Sequence, residues 1–400
     1  MALLAAWLLL CALLPISGNL VPVPLGCAIL LAAVHMAWYR PVIAWRMLWP
    51  IPAWYLLHVA GMLWTTNMDF GLFDLQVKLG MVLLPLMAAV VLAVHPDLLR
   101  HGMSAFTLGT AIAILLSVWK GWECYRSTGD PGCFAQTTFS FELHPSYAAW
   151  YACWAMAWWC DRAMQDTAIR PRLFHLSIAL VMLVFIVMLA SKSGVIGALL
   201  VIVVMAVRWL RSLVSGRWAL KVGLAALAVA AVFASSGGGL VMARMQAAFR
   251  AVEMARHGDP ALYSSHGGSE MRLVAWQCST ELLMNHPMGS GTGDVKDELV
   301  GCYKAKGATD AMEKRLNAHC QFLQGGAALG WPGLILTLLI GLVPLRAAVM
   351  RRNVLLGTFA ALFFVNAAVE SILEVQAGVV FMGLMLGLLV HDRTSCPPHA

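Results

Sequence analysis

The stretch LFHLSIALVMLVFIVMLASKSGVIGALLVIVVMAVRW, residues 173–209, decides the fold. Two apolar runs, 173–190 and 193–209, meet at Ser191-Lys192-Ser193-Gly194, and between Leu173 and Val207 the only fixed charge is Lys192. Each run approaches the ~20 residues that a helix needs to cross about 30 Å of hydrocarbon. Working outward, similar runs fall at 2–16, 22–38, 48–64, 77–95, 104–120, 145–160, 218–235, 322–344, 354–369 and 373–390. They predict an all-α fold, a polytopic transmembrane helical bundle of about 12 spans. Composition agrees: 60% of the 400 residues are hydrophobic and 12% charged, where a soluble domain carries about 25% charge. The first stretch, MALLAAWLLLCALLPISG, lacks the basic start of a secretory leader and reads as a retained first helix.

Basic residues give the bundle a direction. One set of alternate connections holds Arg40, Arg46, Arg100, Arg162, Arg170, Arg172, Arg208, Arg211, Arg217, Lys221, Arg346, Arg351 and Arg352, with Arg393 in the tail. The short connections on the other side hold Lys78, Lys120, Arg126 and Lys192. Basic loops stay in the cytoplasm, so both termini are expected there. The net charge of +7 is therefore a topology signal. No basic patch interleaved with aromatics points to nucleic acid. The expected organisation is transmembrane spans one to nine in residues 1–236, an outer loop domain at 237–320, spans ten to twelve at 321–391, and a cytoplasmic tail at 392–400.

Within the outer loop, 240–257 has helical periodicity with an apolar stripe and a basic face, suited either to the membrane surface or to packing on the bundle. A second helix is expected at 268–285, capped by Ser269 or a neighbour and stopped before His286-Pro287, with shorter helices in 295–316. The cysteines show no zinc spacing. Cys124 and Cys133 share one outer loop, and Cys278 and Cys302 fall in or near another, so each pair is a candidate disulfide.

Ionisable side chains near hydrocarbon are costly, so those at span ends are functional candidates. They fall on the outer side: His144, Lys192, Arg272, His319, Glu370 and Glu374. His144 opens span six in FELHPSYAAWY, ahead of Pro145 at a first helical turn and an interfacial Tyr147; it is either a helix-start device or a rim contact for substrate. Lys192 either snorkels to lipid phosphate or supplies the cation for a pyrophosphate group. Arg272, with Trp276 one turn on, is either a solvated surface arginine or a bidentate phosphate ligand. His319 lies where the outer loop re-enters the membrane, followed by Gln321 and Gln324, and is either an interfacial polar residue or a general base. Glu370 and Glu374 are four apart, on one helical face, and invite a cation such as Arg272 or Lys192, or else a raised pKa. HPMGSGTGD, 286–294, carries Gly289, Gly291 and Gly293, but no Gly-Lys-Ser/Thr follows, and a plain loop is the simpler reading than an anion cradle. His144, His286 and His319 have no metal-ligand spacing, and no metal is expected.

Taken in order, His144-Pro145-Ser146-Tyr147, Ser191-Lys192, Arg272 with Trp276, His286-Pro287 with Gly289 and Gly291, and His319 through Leu323 with Gly330 and Gly333 make the chain resemble the bacterial O-antigen ligase and polymerase superfamily. The likeness covers most of the chain and is strongest from His144 to Glu374. It departs in two places. Lys192 stands where the family has Arg after Ser, which keeps the charge without the bidentate fork. Cys320 stands where the family carries Asn after its histidine.

The resemblance implies a bacterial inner-membrane glycosyltransferase with a periplasmic active site. Its donor would be an undecaprenyl-diphosphate-linked glycan and its acceptor a sugar hydroxyl of lipid A–core, with inversion at the anomeric centre and no metal or other cofactor. Arg272 and Lys192 would stabilise the leaving diphosphate, and His319 would deprotonate or orient the acceptor. Glu374, ahead of Glu370, would hold an arginine or position the acceptor. The expected substrate-binding set is His144, Tyr147, Trp276, His286, Gln321, Gln324, Glu370 and Glu374. A polymerase joining repeat units on the same carrier, or a protein O-oligosaccharyltransferase, would share the diphosphate site and differ in acceptor. A lipid or polysaccharide transporter would place ionisable residues near the bilayer midplane within paired repeats; here the candidates cluster at the outer interface and no repeat is evident.

Overall fold

A computed structural model describes residues 1–212 and 238–392 of the chain. The span expected at 218–235, with Arg217 and Lys221, and the tail with Arg393 lie outside the described residues. The described residues are helical and contain no strand. In order, the longer helices are α1 (Ala2–Leu13), α2 (Pro22–Tyr39), α3 (Pro50–Gly61), α4 (Met68–Val94), α5 (Leu98–Thr128), α6 (Pro145–Gln165) and α7 (Ile169–Leu189). Then follow α8 (Lys192–Ser212), α9 (Gly238–His257), α10 (Gly268–Asn285), α11 (Val295–Ala305), α12 (Gln321–Arg351), α13 (Val354–Ala367) and α14 (Gln376–His391). Among the described residues, six helices are long and apolar enough to cross a membrane: α2 with the short turn before it, α4, α5, α7, α8 and α12. The helices α1, α13 and α14 are shorter and apolar.

Helix ends depart from hydropathy ends in an instructive way. Helix α4 starts at Met68 instead of near 77, and α5 runs to Thr128 instead of 120. Lys78 and Lys120 therefore lie inside helices and not in the connections where the sequence put them. A hydropathy window stops at a charge, whereas the backbone ladder continues wherever that charge finds a partner. Lys78 is fully buried between Asp74 on its own helix and Glu374.

The opening stretch folds as its pattern requires. Helix α7 ends at Ala190 with a left-handed backbone (φ 47°), and α8 starts two residues later. The Ser191 hydroxyl accepts from the Gly194 amide at 3.4 Å and lies 3.1 Å from the Ser193 hydroxyl. Gly194 leaves room for Ala149 of α6, which a side chain here would strike. Helix α6 is apolar around its circumference, and such helices are buried. Trp150, Tyr151 and Trp154 are fully buried. Phe381 of α14 meets Trp150 edge to face and Tyr151 at a tilt, with ring centroids 4.8 and 4.3 Å away.

The segment between α9 and α12 has a small core of its own. Val274, Cys278 and Leu282 of α10 pack with Leu299 and Tyr303 of α11 and with Ala327 to Leu329 of α12. Both candidate cysteine pairs are bonded: Cys278–Cys302 ties α10 to α11, and Cys124–Cys133 ties α5 to the turn after it. Asp294 anchors this segment to the bundle, accepting from the Thr66 and Asn67 amides at 2.7 Å each. Burial alone would raise its carboxyl, but these amides and the Thr66 hydroxyl outweigh it and hold the group below the ordinary carboxylate range.

Helix α12 kinks at Leu329 and Gly330, where Gly330 takes φ 67° two residues before Pro332. The glycine loop fills the break. The Ser290 and Gly291 amides donate to the Ala327 and Ala328 carbonyls at 3.0 and 2.9 Å, and the Trp331 amide donates to the Pro287 carbonyl at 3.0 Å. These amides are spent on the helix, so the loop serves as a plug for the kink and not as an anion cradle.

Candidate active site

A cavity of about 420 Å³ opens where the first residues of α6, α8 and α10 meet the approach to α12 and the α13–α14 connection. His144, Lys192, Arg272, His319 and Glu370 all line it. They come from five places in the chain that share no local contact.

Glu370 is the centre of the arrangement. One carboxylate oxygen accepts from Arg272 Nη2 at 2.5 Å and from the Ser146 hydroxyl at 3.0 Å. The other lies 3.1 Å from His319 Nδ1. Burial by itself would raise this carboxyl. The hydrogen bond from His319 and the positive charges of Arg272, His319 and His144 outweigh burial, and Glu370 is held below the ordinary carboxylate range. An ionised carboxylate only accepts, so Nδ1 of His319 must carry the proton of that contact and Nε2 is left with its lone pair when the ring is neutral. Arg272 spends one Nη on Glu370, and a guanidinium has five N–H donors, so the others can meet an anion.

Local sequence explains how each group is held. His144 caps α6, its Nδ1 accepting from the Ser146 amide at 3.4 Å, with Pro145 in the first turn. Lys192 opens α8 and donates to the Ser269 hydroxyl at 2.6 Å. Ser269 is thus a partner for that cation; Gly267 occupies the cap of α10 without a side-chain bond. His319 has a left-handed backbone (φ 45°), a strained state for a residue with a side chain. Its surroundings fix it: its amide donates to Asn317 Oδ1 at 3.0 Å, and its carbonyl accepts from Trp276 Nε1 at 3.2 Å.

The remaining sequence candidates stand outside the cavity. Gln324 Oε1 accepts from the Ala318 amide at 2.9 Å and so braces the residue before His319. Gln321 accepts from the Leu373 amide at 2.6 Å and donates to Glu374 at 3.1 Å. Tyr147 is half-buried on α6, and His286 is exposed at the end of α10. Glu370 and Glu374 do not share a helical face. Helix α13 ends at Ala367, and only a single tight turn at Ile372–Glu374 separates it from α14. The two acids consequently take different cations: Glu370 takes Arg272 and Glu374 takes Lys78 at 2.8 Å. Neither Ser146 nor the Asp74–Lys78 pair was singled out from sequence as a site feature. The second was readable, since an acid and a lysine four apart in an apolar run form an i,i+4 pair. Among the described residues, no group of three or more His, Cys, Asp or Glu side chains is placed to hold a metal ion.

A larger cavity, about 610 Å³, lies at the opposite helix ends beside the Asp161–Arg208 pair and contains none of these residues.

Against known proteins, one family profile, described as O-antigen ligase, matches residues 177–338. That range runs from within α7 to within α12 and takes in Lys192, Arg272 and His319, while His144 and Glu370 lie outside it. No curated protein matches the chain.

Proposed function

We propose, from the match of residues 177–338 to the O-antigen ligase profile, that this chain carries out glycan transfer of that type and that the cavity around Glu370 is the periplasmic active site of an inner-membrane ligase. It moves a glycan from undecaprenyl diphosphate to a sugar hydroxyl of lipid A–core. The observation that carries this reading is one carboxylate binding both the arginine suited to a diphosphate and the histidine suited to a hydroxyl. Glu370 holds Nδ1–H of His319, and Nε2 takes the proton of the acceptor hydroxyl. The acceptor oxygen then bonds to the anomeric carbon from the face opposite the diphosphate, which inverts that centre. The bond from that carbon to the phosphate oxygen breaks, and undecaprenyl diphosphate departs with the electron pair. Arg272 and Lys192 face the charge that develops there. No nucleotide is required, because the donor carries its own leaving group.

The periplasmic placement is supported by the two disulfides, since both belong to segments beside the cavity and such bonds persist in oxidising compartments. The distribution of arginines in the opposite connections supports cytoplasmic termini. About 12 spans remain our reading of the hydropathy pattern.

The test is a deletion strain complemented with wild type, His319→Ala or Arg272→Ala at equal protein level. The strain is expected to show unmodified core with long carrier-linked polymer accumulating, restored by wild type and by neither variant. Core bearing a single repeat unit would mean a polymerase instead. Full transfer by both variants would remove this cavity from the reaction.

A further inference from the structure

The cavity has two unlike walls. On one stand the groups of the charged arrangement: Arg272, His319 and Ser146 on Glu370, and Lys192 on the Ser269 hydroxyl. The other includes Gln136 and Thr137, from the segment between α5 and α6, which line the same cavity. Neither is charged. Gln136 is half-buried and Thr137 exposed, and among the described residues neither side chain is bonded to the protein.

That segment is held in place far more firmly than a connection requires. The Cys124–Cys133 bond ties its start to α5. Lys120 of α5 reaches across and donates to three of its carbonyls: Thr137 at 3.1 Å, Ser140 at 2.5 Å and Phe141 at 3.2 Å. The Phe141 amide donates to the Ser117 hydroxyl at 3.2 Å, Thr138 donates to the Ala135 carbonyl at 2.5 Å, and the Phe139 ring is fully buried. Against this bracing, Gln136 adopts φ 58°, a left-handed backbone uncommon for a residue with a side chain. The lysine is the informative part. An ammonium placed on three carbonyls is an expensive way to close a loop, and its effect is to fix Thr137 and the turn that also carries Gln136.

We propose that Gln136 and Thr137 read the hydroxyl or acetamido groups of the sugar ring at the scissile linkage and so set substrate specificity. This rests on the glycan-transfer reading above. An amide offers two donors and an acceptor, and a hydroxyl offers one donor and two lone pairs, a match for the mixed donors and acceptors of a pyranose. A diphosphate, which only accepts, is served by the cationic wall. The division places the sugar on the 136–137 side of the cleaved bond. Both donor and acceptor present such a ring there, and the two are told apart by whose binding suffers.

The experiment uses the full chain, purified with its lipid, the carrier-linked glycan of its own strain, and core acceptor. Gln136→Gly removes the amide with no backbone conflict, because glycine adopts this conformation readily. Thr137→Val removes the hydroxyl at nearly constant shape. Each is expected to raise one KM by about tenfold or more while kcat stays within about threefold, as when a site built to bond a hydroxyl loses that bond. A rise in donor KM assigns the ring to the donor, and a rise in acceptor KM assigns it to the acceptor. Wild-type KM for both substrates, or a fall in kcat with both KM values unchanged, overturns the proposal. Arg272→Ala runs alongside. If it transfers at the wild-type rate, the reading of the cavity fails, whereas its inactivity together with unchanged KM in Gln136→Gly fails the sugar wall alone. Unchanged thermal unfolding and an intact Cys124–Cys133 bond verify that each variant has kept its fold.

Discussion

At the scale of the residue, the site turns on Glu370. Removing its charge while keeping its shape, in Glu370→Gln, leaves Arg272 unneutralised and lets the His319 ring choose either tautomer. Transfer is expected to fall on the order of 10²-fold or more, with donor binding far less affected, as separate kcat and KM measurements would reveal. The same carboxylate has a pH signature. Its folded pKa lies below the ordinary value, so its stabilising contribution is complete above the unfolded pKa of about 4.3 and disappears as pH falls through the lower folded value. Thermal unfolding of wild type is therefore expected to weaken below about pH 4, and Glu370→Gln should lack that portion of the loss. Equal acid limbs would show that the carboxylate is not held as described. Sequence made this residue visible but could not rank it. Four-residue spacing suggests one helical face, and only the break between α13 and α14 sends the two acids to different partners. His319, Arg272, Lys192 and His144 were legible because charge at a span end needs a reason. Ser146 and Ser269 were not, since a serine near a helix start has an ordinary capping role.

At the scale of the element, α4 carries the largest departure from its hydropathy. Lys78 has no exposed surface, and it is bonded to Asp74 and Glu374 while Glu374 also accepts from Gln321. Taking away one member of a buried ionic group strands the rest, at about 3–5 kcal/mol. Lys78→Met is expected to lower the unfolding midpoint accordingly, because it leaves two carboxylates without their cation. A midpoint equal to wild type would mean that water or another cation reaches them. Most helices were legible from apolar periodicity alone. What was hidden was the continuation of α4 and α5 past their charges, and the kink in α12, whose closure by Pro287 to Gly291 depends on chain about forty residues away.

At the scale of the whole molecule, the separation of cationic connections from the disulfide-bearing face makes a statement about sidedness that can be measured. In intact cells the two bridges should be oxidised, and four more thiols should react with a maleimide reagent after denaturation with reductant than after denaturation without it. A reporter fused after Asp392 that functions only in the cytoplasm should be active. No gain of thiols, or an inactive reporter, would reverse the orientation. The direction of the bundle is our reading of the lysine and arginine counts, and these measurements are its check. The closure of the cavity was not, because it joins residues 146, 272, 319 and 370, whose meeting depends on the packing of six elements.

The order of those residues along the chain bears on biogenesis. Ser146, Arg272 and His319 all leave the ribosome before Glu370, the acid that binds each of them. Chains are inserted from the amino end, earlier parts settling while later ones are still being made. Until the hairpin of α13 and α14 joins the bundle, Arg272 lacks its Glu370 counter-ion and the His319 ring lacks the carboxylate that fixes its tautomer. On the proposed mechanism, catalytic competence would arrive with the α13–α14 hairpin, and a nascent or prematurely terminated chain lacking it would not transfer glycan.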